Sequence, residues 1–167
     1  MHYFKIVSIV LLSAMFYGCD KYDAFKFKEY SHKIECEQTR DGSLNPRSTG
    51  ILGKWQYKGY YLNGSFQEVS YKKAKLPGLF EVKFSANNHF NLGNTAFAGD
   101  YILYSPKTIK INNMAIPLLP LSKEAEMFIN YFQNAKCFKL TNKDQLFIKA
   151  NVPDKNNDVT MRFTRID

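Results

Sequence analysis

The chain has 167 residues, of which 45% are hydrophobic and 16% aromatic, and a formal net charge of +8. The apolar content excludes a disordered tail, and the length supports one domain with its own core. The positive charge favours anionic surroundings such as phosphorylated lipid, polysaccharide or wall polymer, although lysines scattered over a soluble surface give the same total.

An apolar run near the N-terminus, Lys5–Cys19, predicts an export signal. Lys5 is the only full positive charge ahead of the run, Ile6–Phe16 is almost entirely apolar, and the charged segment DKYD follows Cys19. A helix that crosses a bilayer needs about 20 apolar residues. The run is therefore too short for a transmembrane anchor and is typical of a signal peptide.

The end of this run, Phe16-Tyr17-Gly18-Cys19, resembles a bacterial lipobox. In a lipobox the cysteine thiol receives diacylglycerol, the peptide is cut before the cysteine, and the new amine is acylated. The resemblance implies a signal peptide over residues 1–18, lipidation at Cys19 and an exported protein held by several acyl chains, which we expect on the outer membrane at its periplasmic or surface face. A plain secretory peptide that is cut elsewhere is the alternative.

Residues 19–48 are predicted to be the lipidated cysteine and a tether, because lysines and aromatics alternate there and turn-forming residues follow. If Cys19 carries lipid, Cys36 and Cys137 remain as a pair in a compartment where disulfides persist. A disulfide that ties the N-terminal segment to the domain and two buried free thiols both fit the sequence.

Residues 49–167 predict a mainly β domain with some helix. Apolar side chains recur at every second position in four segments, which is the strand pattern: these centre on Val82, Lys110, Phe147 and Met161. Turn-forming residues separate the strands at Asn63-Gly64, Ala86-Asn87-Asn88, Ser105-Pro106, Asn142-Lys143-Asp144 and 153–157. Short strands joined in this way favour an antiparallel sheet that is curled or closed into a barrel-like form.

One segment, residues 122–135, has helical spacing instead. Its apolar residues recur every three or four positions, at Ala125, Phe128, Ile129, Phe132 and Ala135. Ser122 suits the N-cap, and the glutamates of the first turn suit the positive end of the helix dipole. The spacing predicts a single amphipathic helix that packs on the sheet.

The order of these elements resembles the META domain, the family that includes the HslJ-like envelope proteins. The features that carry the likeness are Leu52-Gly53-Lys54-Trp55, Phe84-Ser85, the glycine and tyrosine spacing of Gly93–Tyr101, Ile109-x-Ile111-x-x-Met114-Ala115, a helix with Glu126 and Phe128, and a hairpin through Phe138, Leu140, Leu146 and Ile148. The chain departs from the family where Asn94-Thr95 replaces Cys-Asn and where the second family cysteine is absent from 115–121. The resemblance implies a small β-rich domain, often secreted or lipid-anchored, in a family without an established enzymatic activity whose members are linked to envelope stress, drug tolerance and secretion. We therefore expect an envelope stress or interaction module.

Gly53-Lys54-Trp55 also resembles the Gly-x-Trp that opens a lipocalin-like barrel. That second resemblance implies a carrier, with a small apolar ligand held in a cavity inside the barrel. The two hypotheses differ in one respect, which is whether the inner faces of the barrel close on each other or line a void.

The sequence offers no recognisable catalytic or metal-binding pattern. His32 and His89 are far apart and lack a carboxylate and nucleophile at a known spacing. We therefore expect no enzyme activity, no metal and no cofactor. We expect contact with the membrane through the lipid anchor and with an envelope protein or glycan, and no nucleic acid.

The densest basic run, formed by Lys72, Lys73 and Lys75, is a candidate contact for anionic headgroups. A solvated loop is the simpler interpretation of the same three lysines.

Overall fold

The computed structural model describes residues 34–36, 43–71, 77–93, 96–116, 118–141, 144–152 and 158–167. Within these ranges it has nine strands and one α-helix: β1 Gly53–Leu62, β2 Ser65–Glu68, β3 Glu81–Phe84, β4 His89–Leu92, β5 Ala98–Ser105, β6 Thr108–Ala115, α1 Lys123–Gln133, β7 Ala135–Thr141, β8 Gln145–Asn151 and β9 Asp158–Arg165. Short 3-10 helices, Pro46–Ser48 and Pro77–Phe80, precede β1 and β3. The predicted signal peptide, residues 1–18, lies outside the described residues.

Eight strands close into an antiparallel barrel in the order β1-β3-β4-β5-β6-β7-β8-β9, because β9 returns to pair with β1. The first half of β1 pairs with β3, and the second half pairs with β2 across the Asn63-Gly64 turn. Both turn residues have positive φ, 51° and 84°, as tight hairpin turns require. The predicted fold class, a barrel-like antiparallel sheet with one helix near 122–135, is confirmed.

Large aromatic side chains fill the inside of the barrel. Those that are fully buried are Trp55, Phe80, Phe84, Phe90, Phe97, Tyr101, Phe128, Phe132, Phe138 and Phe163. They come from segments far apart in the sequence, including α1, so they meet only when the barrel closes. Their burial accounts for much of the stability of the fold, since burying one large aromatic side chain removes roughly 150–250 Å² of surface from water.

Helix α1 contributes two rings to this core. The Phe128 ring lies 4.7 Å from that of Tyr57, and the Phe132 ring lies 5.2 Å from that of Phe90, measured between centroids. The hydroxyl of Ser122 accepts a hydrogen bond from the backbone N–H of Ala125 at 3.3 Å, which confirms the predicted N-cap. The apolar face of α1 thus packs against the strands of the barrel.

Parts of the segment that precedes β1 lie against the barrel. The backbone N–H of Leu44 donates to the carbonyl oxygen of Leu103 on β5 at 2.7 Å. Ile34 is buried with Cys137 and Phe147 in a small cluster on the outer surface of the barrel. The described parts of the predicted tether, 34–36 and 43–48, are therefore in contact with the domain.

Candidate functional site

A pocket of about 280 Å³ lies between the β1–β2 hairpin and the first turns of α1. Tyr57, Tyr60, Gln67, Glu68, Val69, Lys123, Glu124 and Met127 line it. Tyr57 also belongs to the buried core, so the pocket reaches the inner layer of the barrel. We call it the mouth pocket. Its β1 residues, Tyr57 and Tyr60, lie towards the end of β1 that leads into β2, whereas Trp55 lies near the start of β1.

A β-bulge in β1 puts two tyrosines on the same face. Tyr57 pairs with Phe163, whereas Gly59 pairs with Arg162 and Tyr60 with Met161, so Lys58 is the extra residue. Residues three positions apart in a regular strand face opposite sides. The bulge shifts this alternation, and Tyr60 therefore packs against the core together with Tyr57.

Glycine is required at the bulge. The φ of Gly59 is 142°, and a Cβ atom there would overlap the carbonyl oxygen of Gln67 on β2. A side chain at this position would push β2 away from β1. Gly59 therefore maintains the close approach of the hairpin that forms one wall of the mouth pocket.

Four tyrosines surround the mouth pocket or support its wall. The Tyr71 hydroxyl donates a hydrogen bond to the carbonyl oxygen of Tyr57. The rings of Tyr60 and Tyr131 meet edge to face with 5.2 Å between centroids. Together these contacts join the loop after β2, the bulged strand and α1.

Three of these tyrosines, Tyr57, Tyr71 and Tyr131, are neutral at physiological pH. Burial raises the pKa of Tyr71 to about 12, with a smaller contribution from the carboxylate of Glu68. Burial also raises the pKa of Tyr57 and that of Tyr131, and in both cases neighbouring tyrosines add to the effect. Their hydroxyl groups can therefore form hydrogen bonds without carrying charge.

The chemistry of the mouth pocket suits binding. It combines the half-buried ring of Tyr60 with the thioether of Met127, while Gln67, Glu68, Lys123 and Glu124 supply amide, carboxylate and ammonium groups. Aromatic faces with a few convergent polar groups are typical of small-ligand sites.

His89 is not part of the mouth pocket. It is the first residue of β4 and directly follows the turn that the sequence predicts at Ala86-Asn87-Asn88. Its Nδ1 is 3.2 Å from Oδ1 of Asp100, and both side chains are substantially exposed. Hydrogen bonds from His89 and from Asn113 lower the pKa of the Asp100 carboxyl. In the part of the chain that the structure describes, His89 has no hydrogen bond to a hydroxyl or thiol.

A disulfide joins Cys36 to Cys137 on β7, with 5.5 Å between the Cα atoms. Cys137 is fully buried beside Phe147, so the bond holds the 34–36 segment against the outer surface of the barrel. An open pocket of about 350 Å³ lies next to this segment, and its lining includes the ion pair of Lys149 and Asp158, which is 2.6 Å long.

The other predicted site residues, Cys19 and the basic run Lys72, Lys73 and Lys75, lie outside the described residues. Among the residues that the structure does describe, no group of three or more His, Cys, Asp or Glu side chains could hold a metal ion. No helix within the described ranges is long and apolar enough to cross a membrane.

Sequence reasoning did not identify the mouth pocket. Tyr57 and Tyr60 have the wrong spacing to share a face of a regular strand, and the pocket joins residues about 65 positions apart. One signal was available, since an isolated glycine such as Gly59 inside a strand pattern indicates a bulge or a close backbone approach.

No family model matches the chain, and no curated protein matches it. A crystal structure of a DUF4847 family protein from Bacteroides vulgatus is 16% identical, with a TM-score of 0.51, and the match covers 72% of this chain and 99% of that one. An NMR structure of a protein from Burkholderia xenovorans is 15% identical, with a TM-score of 0.47, covering 80% of this chain and 97% of that one. At this identity the likeness to the DUF4847 protein concerns the fold alone.

Proposed function

We propose that this protein is a non-catalytic, lipid-anchored module of the cell envelope that binds a glycan segment in its mouth pocket. The observation that carries the proposal is the half-buried ring of Tyr60 beside the polar groups of Gln67, Glu68 and Lys123 in one open pocket. Sugar rings present a flat C–H face and a rim of hydroxyls. Tyrosine rings match the first, and amide, carboxylate and ammonium groups match the second.

Two parts of the proposal, the location of the protein in the cell envelope and its lack of catalysis, rest on the sequence. The lipobox-like segment that ends at Cys19 supports export and lipid anchoring. The resemblance to the META domain supports an envelope module without enzymatic activity.

A lipocalin-like carrier is the second candidate, and the closed eight-stranded barrel favours it. The carrier hypothesis in its simplest form needs a void inside the barrel. The fully buried rings of Trp55, Phe90, Phe128 and Phe163 occupy that space. A carried ligand would therefore be confined to the mouth pocket, which is small for a lipid chain.

The experiment is an NMR titration with two probes, N-acetylglucosamine oligomers and muropeptides released from bacterial cell wall. Binding should shift the resonances of Tyr60 and Met127, and Tyr60→Ala should weaken it at least about ten-fold, since an aromatic ring that stacks on a ligand contributes that much. Tyr60→Phe keeps the ring and removes the hydroxyl, so it distinguishes the contribution of the ring to binding from that of the hydroxyl.

Tyr104→Ala on β5, away from the mouth pocket, is the matched control and should leave binding unchanged. The glycan proposal is wrong if neither probe shifts Tyr60 or Met127. Mass spectrometry of the protein purified from its own cells addresses the second candidate, because a carrier should retain a lipid at a fixed ratio.

A further inference from the structure

An uncharged segment connects β6 to α1. Residues 115–121 read AIPLLPL, without a single polar side chain. Leu118 is fully exposed, and Ile116 and Leu119 are about half exposed, at 45% and 53%. Among the described residues only Ile166 is another exposed large hydrophobic side chain, so exposure of this kind is concentrated in the segment, which we call the apolar loop.

Both ends of the apolar loop are fixed to the domain. Met114 at the end of β6 and Leu121 just before the helix pack against the core. Ser122 then caps α1. Pro120 restricts the backbone between them. The exposed leucines therefore project from a held position, which distinguishes them from the apolar residues of a loose terminus.

The shape and chemistry of the apolar loop point to lipid. Leu118 extends beyond the surrounding surface, so the loop is a protrusion, and a protrusion inserts most readily into a deformable apolar phase. The chain as a whole carries a net charge of +8, which attracts it to an anionic surface. We propose that the apolar loop inserts into the interfacial region of an anionic bilayer.

Insertion would also orient the mouth pocket. Lys123, which lines that pocket, is four positions after Leu119, so their Cα atoms are at most about 14 Å apart. The inserted loop therefore brings the mouth pocket to the membrane surface. This inference rests on the proposed function in one respect, since a lipid anchor at Cys19 would keep the domain near a bilayer, but it requires no ligand.

The test uses a tryptophan reporter in the full-length protein. Trp55 is the chain's single tryptophan and is fully buried, so an indole introduced by Leu118→Trp reports on the apolar loop. The protein is mixed with vesicles of phosphatidylcholine that contain phosphatidylglycerol and brominated lipid. We expect the emission maximum of the loop indole to shift to shorter wavelength, and the brominated lipid to quench at least about half of its emission.

Lys107→Trp is the matched control, because it lies in the exposed turn at the other end of β6 and should not be quenched. In the chain without a reporter, Leu118→Ser with Leu119→Ser should weaken vesicle binding at least about ten-fold while thermal unfolding is unchanged, since both side chains are solvent-exposed.

Three results would overturn the inference. The loop indole could stay unquenched and open to acrylamide on the vesicles, quenching could be equal with pure phosphatidylcholine, or the indole could be shielded without lipid in proportion to protein concentration. The last result would mean that a second copy covers the loop. The readout is local to residue 118, so failure here is separate from failure of the glycan titration.

Discussion

The guanidinium of Arg165 lies over the indole ring of Trp55, 4.3 Å from its centroid. The two residues are register partners, one near the start of β1 and the other at the end of β9. The same guanidinium donates to the carbonyl oxygens of Leu52 and Gly50, each at 3.0 Å. This group of contacts covers the buried indole and fastens the first and last strands together at the end of the barrel opposite the mouth pocket.

Replacing Arg165 should destabilise the fold. Arg165→Ala removes the ring contact and both hydrogen bonds, and we expect a loss of about 2 kcal/mol in the free energy of unfolding. Arg165→Lys should recover only part of it, because an ammonium group cannot span the ring and both carbonyls. Urea denaturation measures the difference, with exposed Lys139→Ala as the control. Equal midpoints for Arg165→Ala and the control would contradict the role assigned to the stack.

The disulfide between Cys36 and Cys137 should contribute strongly to stability. It closes a loop with a sequence separation of 101, and native bonds over such loops contribute about 2–5 kcal/mol. Urea denaturation with and without a reducing agent measures this. The variant with Cys36→Ala and Cys137→Ala should have the same free energy of unfolding as the reduced protein, whether or not the reducing agent is present. A reduced protein as stable as the oxidised one would show that the 34–36 segment is held by packing alone.

Phe128 should be among the most sensitive positions of the core. Its ring is fully buried and lies within 6.3 Å of the rings of Tyr57, Phe80, Phe132 and Phe163, between centroids. Phe128→Ala would leave a cavity and cost about 3–5 kcal/mol.

Glu126→Ala, an exposed change on the same helix, should stay within about 0.5 kcal/mol of the parent. Chemical denaturation compares the two. A small loss of stability in Phe128→Ala would mean that the barrel interior is less tightly filled than in the structure, and would favour the carrier hypothesis.

Tyr71 should ionise late in an alkaline titration. Its pKa is raised to about 12 in the folded protein, and burial raises the pKa of Tyr101 to about 12 as well. Because these values lie above the ordinary 10, the stability that the neutral hydroxyls contribute is complete below pH 10 and is lost as the pH rises through about 12.

The phenolate absorbance of the folded protein should therefore show a late phase, and Tyr71→Phe should reduce its amplitude by one tyrosine. The same change should cost about 1 kcal/mol at neutral pH, because the hydrogen bond to the Tyr57 carbonyl is lost. Tyr101→Phe provides a second, independent reduction of the late phase. An unchanged late phase in Tyr71→Phe would place that hydroxyl in water.

Local patterns were enough to predict most elements of the fold. The alternation around Val82 and Met161 and the helical spacing from Ala125 to Phe132 each correspond to an element of the structure. These patterns depend on neighbours in sequence, because the faces of a strand and a helix repeat every two and every 3.6 residues. The Ser122 cap and the Asn63-Gly64 turn are local for the same reason.

The site depends on contacts that no local pattern encodes. Tyr57 and Tyr60 share a face because a bulge interrupts β1, and Met127 reaches them because α1 packs against the closed barrel. The sequence left a disulfide and two free thiols equally open for Cys36 and Cys137, and the path of the chain brought their Cα atoms to 5.5 Å.

The sequence by itself determined that the chain forms a mainly β domain with one amphipathic helix, and it predicts an exported protein with Cys19 as its acylation site. The tertiary structure decided that β9 closes the barrel on β1, that aromatic rings fill the interior and that a pocket opens at the mouth. The reason is physical. Elements follow from the periodicity of neighbouring residues, whereas closure, filling and pocket shape follow from packing between residues up to about a hundred positions apart.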